Sequence, residues 1–102
     1  MDVTITIRGR EGRFLFFDNE DRRTFRWALS LLPDHLANDL RTHERCAIAS
    51  HCEFSHQQAV ITATCYDWNP EQVAKFICKV YDAYFRRKYK RDGKQSEYTI
   101  TT

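Results

Sequence analysis

A chain of 102 residues, 42% apolar and 29% charged, holds material for one hydrophobic core and not two. With 14% aromatics against three glycines and two prolines, it is excluded from the disordered and linker-rich classes, because so many rings are costly to leave in water. The net charge is only +2, yet Glu71 to Lys94 carries eight Lys or Arg against three Asp or Glu, so that stretch is +5 and the remainder −3.

Val3, Ile5 and Ile7 alternate with Thr4, Thr6 and Arg8, the period of a half-buried strand. Gly9 to Gly12 supplies turn residues. Phe14-Leu15-Phe16-Phe17 then reads as a second strand, apolar on both faces and hairpinned to the first. Asp18 and Asn19 are N-cap residues, with Glu20 and Asp21 at the positive helix start. Phe25, Ala28, Leu29 and Leu32 follow at helical spacing, and Trp27 and Leu31 widen the apolar face. Pro33 should end or kink this helix, and Leu36, Ala37 and Leu40 suggest further turns.

Cys46, Ile48, Ser50, Cys52 and Phe54 fall on one face of a third strand. Ala59, Ile61, Ala63 and Cys65 do so for a fourth, joined to it through Ser55 to Gln58. The last helix is the clearest element. Asn69 caps it, Pro70 opens it, and Gln72 completes a capping box. Trp68 and Val73 form a staple pair, Val73, Phe76, Ile77, Val80 and Tyr84 make the apolar stripe, and Gly93 is the expected stop. The expected class is α+β: an antiparallel sheet of about four strands with two helices on one face, in ββαββα order. Residues 1–95 form the domain, and 96–102 a tail or short edge strand.

No stretch reaches the roughly 18 apolar residues of a membrane span. The alternating start lacks the apolar run of a signal peptide. A cytoplasmic chain is expected, with Cys46, Cys52, Cys65 and Cys78 as reduced core thiols. His43, Cys46, His51, Cys52 and His56 are zinc-ligand types within fourteen residues, but Cys46 and Cys52 share a strand face with Ile48 and Phe54 and read as core, so no metal site is assigned. No nucleophile elbow and no phosphate-cradling glycine loop occurs, so no catalytic residue and no cofactor is assigned.

Binding remains. Aromatics with interspersed arginines point to contact with another protein or a second copy in a homodimer, through Phe14, Phe16, Arg23, Arg26, Trp27, Tyr81 and Phe85, as an adaptor, regulator or inhibitor. The alternative is a nucleic-acid-binding module using Arg86, Arg87, Lys88, Lys90 and Arg91 at the end of the last helix. Neither a membrane nor a small-molecule substrate is implied. The placement of the positive charge discriminates. A continuous basic face shared with Arg8, Arg10 and Arg13 favours nucleic acid. An apolar patch broken by Asp and Glu favours protein.

Overall fold

The structure, a computed structural model, describes residues 2–35, 47–66 and 68–101. The chain runs β1 (Asp2–Gly9), a 3-10 turn (Arg10–Gly12), α1 (Asn19–His35), β2 (Ala47–Phe54), β3 (Gln58–Cys65), α2 (Pro70–Tyr89) and β4 (Ser96–Thr101). The four strands form one antiparallel sheet in the order β2-β3-β1-β4. The expected α+β class is present: alternation buries Val3, Ile5, Ile7, Ala59, Ile61 and Ala63 beneath the two helices. β1 and β2 flank β3, and β3 and β4 flank β1, so each βαβ unit leaves room for a strand of the other. This is the split-βαβ, ferredoxin-like arrangement.

One strand sits elsewhere than expected. Phe14 to Phe17 is not a strand, and its place is taken by β4 at the sheet edge. The reason is topological: β1 is central, and both of its hydrogen-bonding edges are occupied, by β3 and by β4. The Leu15 and Phe16 amides both donate to one carbonyl, that of His56 in the β2–β3 loop, at 2.8 and 3.0 Å. Leu15 and Phe16 therefore drop into the core, while Phe14 and Phe17 stay at the surface.

β1 turns away at Gly9. A Cβ there would lie 2.1 Å from the Arg13 carbonyl oxygen, a backbone atom that cannot step aside. Gly9→Ala should cost roughly 2–4 kcal/mol, as overpacking against fixed backbone does. Urea unfolding checks this; an unchanged midpoint contradicts it.

Three smaller differences follow from packing. A bulge between Ala49 and His51 shifts the register of β2. Ala47, Ala49, Cys52 and Phe54 thus pack with the core, where Ser50 was expected on that face. In α2 the buried stripe is Val73, Ala74, Ile77, Tyr81 and Phe85, rotated from the one through Val80 and Tyr84. That helix ends at a left-handed Lys90 (φ 53°), before Gly93. α1 reaches His35, two residues past Pro33; Leu36, Ala37 and Leu40 lie outside the described residues. Trp68, expected to staple Val73, sets its ring edge-on to Phe76, with centroids 5.7 Å apart. The capping box is formed as expected, with Asn69 and Gln72 exchanging hydrogen bonds of 2.9 Å in both directions.

Candidate nucleic-acid interface

The charge of α2 is divided between two sides of the helix. One side faces α1. There the Asp21 carboxylate, fully buried, accepts four hydrogen bonds. Tyr84 Oη and Lys88 Nζ donate to its Oδ1 at 2.6 and 2.9 Å. Tyr89 Oη and the Phe17 amide donate to its Oδ2 at 2.6 and 2.8 Å. Lys88 also reaches Asp18 at 2.8 Å and Glu20 at 3.3 Å. Asp18 in turn caps α1, accepting from the Asp21 amide at 2.9 Å.

Burial pushes the Asp21 carboxyl up, but bonds from Tyr84, Tyr89, Phe17 and Lys88 outweigh it and hold the pKa at about 2. Burial likewise opposes the Lys88 charge, and its bonds to Asp18, Asp21, Tyr84 and Glu20 raise its pKa well above the usual lysine range. This cluster is a satisfied clamp between the start of α1 and the end of α2. Lys88, 24% exposed, is therefore paired with three carboxylates in this cluster, where the sequence reading has it as a basic contact residue.

The other side of α2 faces β4. Lys75, Lys79, Asp82 and Arg86 recur at i, i+4, i+7 and i+11, so they form one stripe along the helix. With Arg10, Lys94, Glu97 and Tyr98 they line a groove of about 610 Å³. Five cations and two acidic residues thus line it, but Glu97 turns its carboxylate to the sheet face away from the helices, and neither carboxylate is free. Asp82 is buried, accepting from the Gln95 amide at 3.1 Å and the Ser96 hydroxyl at 2.6 Å, which pins the start of β4 to the helix. Glu97 pairs with Arg8 at 3.1 Å. Arg86 donates to the Gly93 carbonyl at 3.2 Å, which holds its guanidinium over the groove end. Cys78 also lines the groove, but burial pushes its thiol up to about 11, so it carries no thiolate near neutral pH.

Beside the groove, across the turn at Asp92 to Gln95, lies a second recess lined by Arg13, Phe14, Phe17 and Arg91. Arg10 is tied to this turn by its amide, which donates to the Gln95 carbonyl at 3.1 Å. Arg10 and Arg13 thus join the basic face. Arg8 does not: on the sheet face away from the helices it bonds Glu97 and Thr99.

The other expected contact residues separate by burial. Phe16, Tyr81 and Phe85 are core residues, at most 1% exposed, and cannot touch a partner. Tyr81 donates to the Leu15 carbonyl at 2.6 Å, and its ring packs at a tilt against those of Phe16 and Phe85. Phe14 and Trp27 are exposed, as are Arg23 and Arg26, the last lying 5.0 Å over the Phe54 ring. Of the basic run, Arg87 and Lys90 face solvent and Arg91 lies 5.6 Å over Phe85.

Sequence reasoning did not single out Lys75, Lys79, Lys94 and Tyr98 as binding residues. The four-residue spacing of the two lysines was the available signal. Of the zinc-type residues, His51 bonds Glu53 at 3.2 Å on the strand face opposite Cys52. His43 and Cys46 lie outside the described residues. Among the described residues no three His, Cys, Asp or Glu gather as metal ligands, and no helix is long and apolar enough to cross a membrane. No protein-family model matches the chain, and no curated protein matches it significantly.

Proposed function

We propose that the chain is a non-enzymatic nucleic-acid-binding module whose α2–β4 groove takes the phosphate backbone. The observation that carries this is the gathering of Arg10, Lys75, Lys79, Arg86 and Lys94 on one groove whose two carboxylates are already bonded. The stripe from Lys75 to Arg86 spans roughly 16 Å of helix, which suits a row of phosphates better than a single anion. A salt series with a fluorescently labelled oligonucleotide tests it. Anisotropy should report an affinity falling with salt, with a log–log slope of roughly −3.5 on a single strand or −4.5 on a duplex for five phosphate contacts. Binding that ignores salt, or its absence at low salt, contradicts the proposal.

Contact with a protein or a second copy is the second reading, favoured by Trp27, which is 56% exposed on α1 beside Arg23 and Arg26. It predicts a dimer mass by light scattering that falls to a monomer in Trp27→Ala. A monomeric wild-type chain removes the homodimer.

A further inference from the structure

We infer that the groove's ligand is single-stranded, with a base stacking on Phe14 in the recess beside the groove. This rests on the nucleic-acid reading and specifies its substrate class.

Phe14 and Phe17 are 44% and 46% exposed, although the core lies directly beneath them. The Phe14 ring is not loose. It lies on the His56 imidazole, with centroids 5.2 Å apart and planes 19° from parallel, and 5.8 Å from the Phe17 ring. Phe17 is backed in turn by Phe85 and Tyr89 at 6.2 and 5.1 Å. Two half-open rings are thus held by a buttress of three other residues, so presenting them costs little ordering on binding.

Arg13, which also pairs with Glu11 at 3.6 Å, and Arg91 line the same recess together with Asp92. A fixed aromatic face flanked by cations is the composition that holds an unpaired base and its phosphate, since every base offers a π-face. The recess also adjoins the groove: Lys94 and Ser96 line the groove, and Arg91 and Gln95 line the recess, so one chain segment serves both. A strand with its phosphates along Lys75 and Lys79 can continue over this turn and set a base against Phe14. A duplex cannot, because its bases are stacked inside.

The test compares a labelled oligothymidylate with a duplex of the same length, at one salt concentration, by anisotropy. The wild-type chain should prefer the single strand by roughly tenfold or more. Phe14→Ser should remove that preference, leaving duplex affinity unchanged, and Phe14→Trp should keep it, since indole also stacks. The Lys75→Glu/Lys79→Glu chain should lose affinity for both. Equal wild-type affinity for the two ligands, or a preference that survives Phe14→Ser, overturns the inference while the groove reading stands. Wild-type binding to neither ligand overturns both.

Discussion

Asp21→Ala should cost roughly 3–5 kcal/mol of stability, a large share of the roughly 5–15 kcal/mol that holds a domain of this kind together. The size follows from what is left behind. Without the carboxylate, the Tyr89 hydroxyl and the Phe17 amide lose their acceptor at a half-buried site, and the Lys88 ammonium and Tyr84 hydroxyl keep only the more exposed Asp18 and Glu20. An unpaired buried donor costs about 1–3 kcal/mol, more if charged. Lys88→Met should cost less, roughly 2–4 kcal/mol, because Asp21 keeps three of its four donors. The double variant should fall short of the sum by more than about 1 kcal/mol, since both changes break one network. Urea unfolding of all four chains supplies the cycle; strict additivity contradicts a shared network.

The same clamp sets the acid limit. The Asp21 pKa of about 2 lies below its ordinary 3.8, so the folded state favours the ionised form. Its stabilisation is full above about pH 4 and is lost as pH falls through about 2, with roughly 2–3 kcal/mol at stake. Asp21→Ala should therefore flatten this part of the stability-against-pH curve as well as lower it.

Reversing Lys75 and Lys79 together should have the largest effect on binding. Both are exposed and lie on the groove side of α2, so their replacement leaves the core untouched. Removing two phosphate contacts should shrink the log–log salt slope by roughly 1.4 for a single strand and lower affinity by one to two orders of magnitude at low salt. Thermal unfolding should stay within about 0.5 kcal/mol of wild type, as for other surface substitutions. A matched reversal at Arg23 and Arg26 on α1 should leave affinity within a few-fold. If the α1 reversal is the damaging one, the ligand lies on the face of Trp27 instead.

Local signals in the chain are strong where backbone chemistry alone decides. The capping box at Asn69 and Gln72, the alternation in β1 and β3, and the buried face of α1 through Phe25, Ala28, Leu29 and Leu32 all appear where residue type places them. The differences arise where tertiary contacts decide. Phe14 to Phe17 has strand chemistry, but no edge of β1 was left to receive it. The α2 stripe was read out of phase because it includes a buried carboxylate, Asp82, and hydropathy cannot mark a polar side chain as inward. Asp21 was read as a helix-start charge for the same reason, although it is the centre of a network. Lys75 and Lys79 are visible in sequence as a one-turn pair. What makes them a groove is Arg10 and Lys94, brought opposite by β1 and β4 from distant parts of the chain.

The claim that the α2–β4 groove is the binding surface is met most directly by amide chemical-shift mapping on the isotopically labelled chain as a short oligonucleotide is added. The largest shifts should fall at Arg10, Lys75, Lys79, Lys94 and Tyr98, with Phe14 responding to a single strand. Shifts confined to Arg23–Trp27, or spread evenly with no focus on the groove, would contradict the account.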